Sequence, residues 1–300
     1  MGDFVLTLPA IDALRSAHPT ARLRVVGNPA IAALANPDEI VDQGCAEFAS
    51  LYTPGGCVTG RARDALRDLD LLVAYSTDTS GLLEERLVGL VPGQVIACDP
   101  RPPQGFTGHI TDHLLDPVRQ LGLPIPDPLP TIHVPERDKA WAADICGSHG
   151  IRSPFVVVHP GSGGRRKCWP VEKFVGLIRD LVHSGVTTLV LHGPAEEDLL
   201  PALQSGLPPE ALLLASPELP RLAALLAMGK LFVGNDSGPG HIAAAVGTST
   251  LSLFGPTDPR VWAPRSECAR WIQAPERDLA GLGTGEVLDT SLEILADSVR

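Results

Sequence analysis

The chain has 300 residues and a formal net charge of −11 at pH 7, from 24 Lys and Arg against 35 Asp and Glu. At ~150 residues per domain, this length predicts about two domains with cores large enough to fold without a disulfide or a metal. The acidic excess argues against a nucleic-acid-binding protein, which needs a basic surface to release counterions. The acidic excess does not exclude a small anionic ligand held by a local basic cluster.

No apolar run reaches ~18 residues, so the sequence predicts no membrane-spanning helix. The first residues lack the basic and apolar segments of a secretory signal. Six cysteines are scattered without a C-x-x-C pair, at Cys45, Cys57, Cys98, Cys146, Cys168 and Cys268. This pattern predicts free thiols in a cytoplasmic protein rather than a zinc site, whose ligands need closer spacing.

Short apolar runs alternate with longer helical patterns along the chain. The predicted strands are 23–26, 70–74, 95–98, 155–159, 187–191, 212–214, 231–233 and 250–254. The predicted helices are 9–17, 82–90, 110–121, 136–149, 170–183, 219–228 and 239–246. Most strands are continuously apolar, as strands buried on both faces of a parallel sheet are. The alternation predicts an α/β fold built from two Rossmann-like halves.

A proline-rich stretch over residues 123–135 suits an extended linker between the halves or an exposed final strand of the first. The sequence therefore predicts an N-terminal domain over residues 1–135 and a C-terminal domain over residues 136–300. Residues 291–300 predict one amphipathic helix at the end of the chain, which could pack back on the first half.

The first candidate binding segment, HPGSGGRRKCWP, follows a predicted strand at residues 159–170. Its glycines, including Gly163, let backbone N–H groups approach an anion, and Ser162 can donate a hydrogen bond. Arg166 and Lys167 contribute to a cluster of three positive charges ahead of a helix N-terminus, which also favours anions. The segment suits a phosphate or diphosphate, although a solvated glycine loop explains it equally well.

The second segment, FVGNDSGPGHIAAAVG, spans residues 232–247 and joins a buried strand to an alanine-rich helix. Asp236 or Ser237 could cap that helix, and His241 could be a core histidine. The cluster holds more polar and helix-averse residues than a cap needs. Since ligands of open α/β sheets bind outside the carboxyl ends of strands, we favour a binding role.

The third segment, LFGPTDPRVWAP, follows a strand at residues 253–264. Gly255 and Thr257 could contact phosphate or ribose, although a plain turn explains the segment better when it is taken alone. The fourth segment, GDFVLTLPAI, begins the chain and places Asp3 just ahead of an apolar helix. Asp3 could be a catalytic base or a carboxylate favoured by a helix dipole, and nothing local decides between them.

Together these segments resemble glycosyltransferase family 9, the ADP-heptose:lipopolysaccharide heptosyltransferases. The resemblance rests on Gly2-Asp3 with Leu8-Pro9-Ala10, on Lys167-Cys168-Trp169-Pro170, on the GNDSGPGH run at 234–241 and on the FGPTDP run at 254–259 followed by Trp262. They occur in the family's order, and the segment HITDHLLDPVRQLG at 109–122 also fits.

The resemblance implies a GT-B fold, with two Rossmann-like domains facing across a cleft. It also implies inverting transfer of a heptose from ADP-heptose to a lipid-linked core sugar. Asp3 matches the family's general base and Lys167 its phosphate-binding lysine. The nucleotide-sugar site is expected to comprise Ser162, Gly163, Arg166, Asn235, Asp236, Ser237, Gly238, His241, Gly255 and Thr257.

Glycosyl transfer of this kind needs one carboxylate to activate the acceptor hydroxyl and positive charge to stabilise the departing diphosphate. No cofactor or metal is expected, since the only D-x-D pair, Asp68 and Asp70, precedes a predicted strand instead of following one. Trp169 and Trp262 are the candidate platforms for stacking a sugar. The expected partners are the nucleotide sugar and a lipid-linked acceptor. The expected location is the cytoplasm, where the protein could contact the inner membrane peripherally.

The chain departs from the family pattern at its start, where family members have an apolar strand ahead of the Gly-Asp turn. The first domain is therefore expected to lack its first strand, which would leave Asp3 poorly held. Two alternatives stay open: a non-catalytic or impaired relative that still binds a nucleotide sugar, and a GT-B nucleotide-sugar epimerase.

Overall fold

The computed structural model describes residues 1–297, which form two compact units. The N-terminal unit is Thr7–Pro128, and the C-terminal unit combines Met1–Leu6 with the chain from Leu129 onward. The division after Pro128 falls inside the proline-rich stretch. The first six residues belong with the C-terminal unit rather than with the segment that follows them.

The N-terminal unit contains short helices and two separate pairs of parallel strands, β1-β2 and β3-β4. Its elements are α1 (Gly2–Ala17, which begins in the other unit), β1 (Arg24–Gly27), α2 (Pro29–Ala32), β2 (Glu39–Asp42), α3 (Ala46–Ala49), α4 (Gly60–Leu66), β3 (Leu71–Tyr75), α5 (Leu82–Leu90), β4 (Gln94–Cys98), α6 (Ile110–Leu114) and α7 (Asp116–Gln120). Leu66, Leu83 and Leu87 lie in a core cluster against which Leu72 and Val95 of the strands pack.

The C-terminal unit is built on a six-stranded parallel sheet in the order β10-β9-β8-β5-β6-β7. Its elements are α8 (Glu136–Ser148), β5 (Phe155–His159), α9 (Val171–His183), β6 (Thr187–His192), α10 (Leu200–Gly206), β7 (Leu212–Ala215), α11 (Leu219–Met228), β8 (Leu231–Asn235), α12 (Gly238–Ala245), β9 (Ser249–Phe254), α13 (Pro259–Trp262), β10 (Ala269–Gln273) and α14 (Thr284–Asp297). This βα alternation confirms the predicted α/β class.

The main core lies between the sheet and helices on one of its faces. In α9, Phe174, Leu177, Ile178 and Leu181 are fully buried, at the spacing that places them on one face of a helix. They pack on strand residues such as Val158 and Val233. Burying a side chain of this size contributes about 1.5–3 kcal/mol, so this layer holds the strand ends in place.

Several predicted boundaries change in the structure. Helix α1 begins at Gly2 instead of Pro9, so Pro9 lies inside the helix and Asp3 lies in its first turn. Strands β2 and β10 were not predicted, because their alternating or mixed residues lack the continuous apolar run of a buried strand. The predicted helix over 110–121 is two helices that meet at Leu115, ahead of Pro117.

The helix predicted over residues 291–300, which could pack back on the first half, corresponds to the second part of α14, and residues 298–300 lie outside the described residues. In the structure Val287 and Ile294 of α14 lie in the core cluster of the C-terminal unit, and α14 contacts α9. Its apolar face covers the same sheet face as α9, which explains the placement. Among the described residues, no helix has the length and apolar character needed to cross a lipid bilayer.

Candidate functional site

Three of the four candidate segments follow adjacent strands of the C-terminal sheet. Strands β9, β8 and β5 are neighbours in the sheet, and all of them are parallel. Their carboxyl ends therefore lie at one edge, where ligands of open α/β sheets bind. The segments at 159–170, 232–247 and 253–264 thus meet at this edge.

Asp236 lies at the centre of a hydrogen-bonded network that joins all three segments. Its Oδ2 accepts from Lys167 Nζ at 2.7 Å and from Thr257 Oγ1 at 2.7 Å. Its backbone carbonyl accepts from the Ser162 hydroxyl, also at 2.7 Å. The Asp236 side chain is 8% exposed and that of Lys167 is 36% exposed. The carboxylate is therefore buried, whereas the lysine side chain is partly exposed.

Asn235, the last residue of β8, fixes the loops beneath this network. Its Oδ1 accepts from the Trp169 N–H at 2.9 Å, and its Nδ2 donates to the Pro160 carbonyl at 2.7 Å. The side chain is fully buried. The structure thus shows Asn235 holding backbone in place, so its expected contact with the nucleotide sugar remains a prediction.

Trp169 is a core residue rather than a platform for sugar stacking. It is 1% exposed, its ring lies 4.9 Å from that of Phe174, and its Nε1 donates to the Leu282 carbonyl at 3.1 Å. The sequence could not separate these roles, because the same tryptophan type serves both. Trp262 lies in α13 and is half-buried.

The glycine loop after β5 has one crowded position and one open position. A Cβ built at Gly161 would overlap the Glu196 carboxylate, whereas nothing lies within 4 Å of one built at Gly163. The expected basic cluster is spread out: Arg165 pairs with Asp198 at 2.9 Å, and Arg166 is exposed. Of the three cations, Lys167 is the one bonded to the central network.

The N-terminus of α12 lies beside this network. Ser237 occupies the position before the helix, but its side chain caps no backbone N–H, and its buried Oγ has no hydrogen-bond partner among the residues that the structure describes. Asp236 is occupied by Lys167 and Thr257. Neither side chain therefore acts as the N-cap of α12. His241, in that turn, is 6% exposed.

The first turn of α1 packs on the first turn of α12, within the C-terminal unit. A Cβ built at Gly2 would lie 3.0 Å from His241 Cδ2, and one built at Gly238 would overlap the Met1 side chain. At both positions a larger residue would require the neighbouring side chain to shift. Asp3, the next residue, is exposed. Its neighbours are packed, since Gly2 lies against His241 and Val5 is fully buried, and how firmly the Asp3 side chain is held stays a prediction.

Gly255, at the end of β9, also allows a close approach. A Cβ there would lie 3.2 Å from the Leu279 side chain and 3.3 Å from the Arg166 carbonyl. The glycine thus lets the loop that carries Thr257 lie directly against the loop that carries Lys167.

Glu196 and His159 form a buried pair that the sequence analysis missed. The Glu196 side chain is 1% exposed, and its Oε1 lies 3.4 Å from His159 Nε2. Its Oε2 accepts from the Gly193 N–H at 2.5 Å. Burial would raise the pKa of Glu196, but the neighbouring His159 and the Gly193 N–H outweigh it and lower this pKa. The sequence feature that could have revealed this pair is the acidic PAEE segment at 194–197, which follows β6 after one glycine.

The cysteines and the possible metal ligands are scattered along the chain. All six cysteines lie within the described residues and are free thiols, as predicted. Across residues 1–297, no three His, Cys, Asp or Glu side chains are grouped as a metal site requires.

Comparison with known proteins agrees with the resemblance in the sequence. A family model described as glycosyltransferase family 9 (heptosyltransferase) matches residues 111–289. Lipopolysaccharide heptosyltransferase 3 of Escherichia coli K12 is 37% identical over 122 residues, which cover 39% of this chain and 36% of that protein. Lipopolysaccharide heptosyltransferase 2 of Salmonella typhimurium is 32% identical over 160 residues, 50% of this chain and 45% of that protein. The matched segments thus span less than half the length of these curated relatives.

Solved structures extend the similarity to the whole fold. A family 9 glycosyltransferase from Veillonella parvula superposes with a TM-score of 0.80 at 20% identity, covering 99% of this chain and 94% of that one. The ADP-heptose LPS heptosyltransferase II of E. coli superposes with a TM-score of 0.79 at 19% identity, covering 99% and 96%. The GT-B fold class is thereby confirmed. The family model covers more than half of the chain, so the chain belongs to glycosyltransferase family 9, the heptosyltransferase family.

Proposed function

We propose that this protein transfers a heptose from ADP-L-glycero-D-manno-heptose to a sugar of the lipopolysaccharide core, with inversion at the anomeric carbon. Family membership and the heptosyltransferase relatives support the reaction class. The observation that carries the proposal is the contact of Lys167 and Thr257 with Asp236 at the shared carboxyl edge of three strands. This edge offers a fixed cation to a diphosphate.

The leaving group accumulates negative charge as its bond to the sugar breaks, so the site must supply positive charge. Lys167 provides a full charge, and the N-terminus of α12 adds the partial charge of a helix dipole. These two groups stabilise the departing ADP, and the proposed reaction needs neither a cofactor nor a metal ion.

Asp3 is the proposed general base. An acceptor hydroxyl attacks the anomeric carbon on the face opposite the diphosphate, and Asp3 takes its proton. The new C–O bond forms as the bond to the diphosphate breaks, and ADP leaves with the electron pair. One displacement gives inversion and requires only one carboxylate. Gly2, the residue before Asp3, packs on His241 of α12, and this packing supports the role.

The N-terminal unit is the proposed site for the lipid-linked acceptor. A lipid-linked substrate would bring the protein to the inner membrane as a peripheral partner. The remaining predicted contacts of the nucleotide sugar are Ser162, Gly163, Arg166, Asn235, Ser237, Gly238, His241 and Gly255.

Two measurements test this proposal. Calorimetry should rank ADP above UDP and GDP, and equal affinity for all three would refute the ADP-sugar assignment. Incubation with ADP-heptose and a heptose-deficient core acceptor should release ADP, with NMR of the product showing the inverted anomeric centre. ADP binding without transfer would identify a non-catalytic relative, and conversion of the free nucleotide sugar would identify an epimerase.

A further inference from the structure

A cavity of about 380 Å³ opens in the N-terminal unit, and it is lined by residues other than those of the proposed nucleotide-sugar site. It is lined by Tyr52, Tyr75, Ser76, Thr77, Asp78 and Pro100. Tyr75 ends β3, and Pro100 lies two residues after the end of β4, the strand paired with β3. The cavity thus lies at the carboxyl ends of a parallel pair, where such folds bind ligands. Its volume lies within the range of small-molecule sites.

The segment that carries Tyr52 is held in one conformation by Arg86. The Arg86 guanidinium donates to the carbonyls of Ser50 and Gly56 at 2.8 Å and to that of Thr53 at 2.5 Å. Tyr52 is 57% exposed, although its neighbour Leu51 is buried. A rigid loop therefore presents an exposed aromatic ring. Because the loop is already ordered, binding a ligand there costs little conformational entropy.

Tyr75 forms a second, fixed aromatic wall. Its hydroxyl donates to the Leu114 carbonyl at 2.6 Å, and burial is the main cause of the raised pKa of this phenol. The chain has only two tyrosines, so every tyrosine of the protein lines this one cavity. All four tryptophans lie outside the N-terminal unit, which makes the two phenol rings selective reporters of the cavity.

Asp78 supplies an anchored acceptor at the same place. Its Oδ1 accepts from the Ser80 N–H at 2.9 Å and its Oδ2 from the Leu83 N–H at 2.9 Å. The hydrogen bond from the Ser80 hydroxyl, followed by these two backbone bonds, lowers the pKa of Asp78 and keeps the carboxyl ionised. None of the lining residues is cationic. The nearby Arg101 is engaged by Asp99 at 2.6 Å and by the Thr77 carbonyl at 3.3 Å.

We propose that this cavity binds one uncharged sugar ring of the acceptor. A pyranose presents C–H groups on its faces and hydroxyls at its edge, so it matches an exposed aromatic ring beside a carboxylate and hydroxyls. Asp78, with no cation in the lining, disfavours a phosphorylated or acidic sugar. The inference rests on the proposed function, because it names the acceptor chemistry that the N-terminal unit recognises.

The two tyrosines allow a direct binding test. Protein labelled with 3-fluorotyrosine should give two ¹⁹F resonances, which Tyr52→Ala reduces to one. Titration with the methyl glycoside of L-glycero-D-manno-heptose should shift both resonances saturably. The same glycoside carrying a phosphate ester should bind at least ~10-fold more weakly. Tyr52→Ala should lose saturable binding, whereas Val88→Ala, which removes an exposed side chain on α5 outside the cavity, should retain it.

Resonances that do not move, or equal affinity for the neutral and phosphorylated glycosides, would overturn the subsite. Kinetics separate this failure from failure of the proposed function. Tyr52→Ala should raise the acceptor KM by ~10-fold while ADP affinity stays unchanged. Heptose transfer with an unchanged acceptor KM would refute the subsite and keep the function. Saturable, Tyr52-dependent glycoside binding without transfer from any ADP-sugar would refute the function and keep the subsite.

Discussion

Lys167 Nζ donates to Asp236 Oδ2 at 2.7 Å, across 69 residues of sequence. The carboxylate is fixed a second time by Thr257, so the ammonium is positioned before any ligand arrives. An ammonium has three donors, and Asp236 occupies one of them. Pre-positioned charge of this kind stabilises a developing anion without reorganisation during the reaction.

Replacing Lys167 by alanine should weaken ADP binding by ~1.5–3 kcal/mol, or roughly 10–150-fold, the usual size of a hydrogen bond to a charged group. Calorimetry with ADP measures this loss. Lys139→Ala is the matched control, because Lys139 pairs with Glu136 on the exposed face of α8. Equal ADP affinity in both variants would remove Lys167 from the diphosphate site.

Much of this site could be predicted from the sequence because its residues follow continuous apolar strands. Lys167, Asp236 and Thr257 each come soon after such a strand, and parallel strands bring their carboxyl ends to one edge. The strand order and the partners at that edge could not be predicted. They depend on helix packing between distant segments, which a local pattern does not encode.

The start of α1 is a second feature that the local sequence could not predict. Pro9 indicated a helix start, because proline is favoured in the first turn, yet the helix begins at Gly2. The packing of Gly2 on His241 and of Met1 on Gly238 stabilises the earlier turn. Tertiary contact thus outweighs the local signal of the proline.

Asp3→Asn should leave ADP affinity unchanged and lower kcat by ~10²–10⁴-fold, the usual contribution of a general base. The amide keeps the shape of the side chain but cannot accept the acceptor's proton. Glu286→Gln is the matched control, because Glu286 is an exposed carboxylate in the first turn of another helix, α14. Turnover that is unchanged in Asp3→Asn would exclude Asp3 as the base.

Gly161→Ala should destabilise the protein by ~1–3 kcal/mol, the cost of overpacking, and weaken ADP binding as well. The new methyl group would overlap the Glu196 carboxylate and push the loop that carries Lys167 away from Asp236. Gly163→Ala, two residues later, meets open space and should change stability by less than ~0.5 kcal/mol. Urea unfolding of both variants measures the difference, and similar losses would refute the packing argument.

Glu196 should make the free energy of unfolding depend on pH in the acid range. Its pKa in the folded protein is below the ordinary value of 4.5, because His159 and the Gly193 N–H outweigh the opposing effect of burial. The stabilisation is therefore fully present above the pKa of the unfolded chain and is lost as pH falls through the folded pKa. In Glu196→Gln this contribution is absent. Urea unfolding between pH 3 and 7 measures the free energy of unfolding of the unaltered protein and of Glu196→Gln. The difference between these two free energies should shrink as the pH falls, and a constant difference would contradict the lowered pKa.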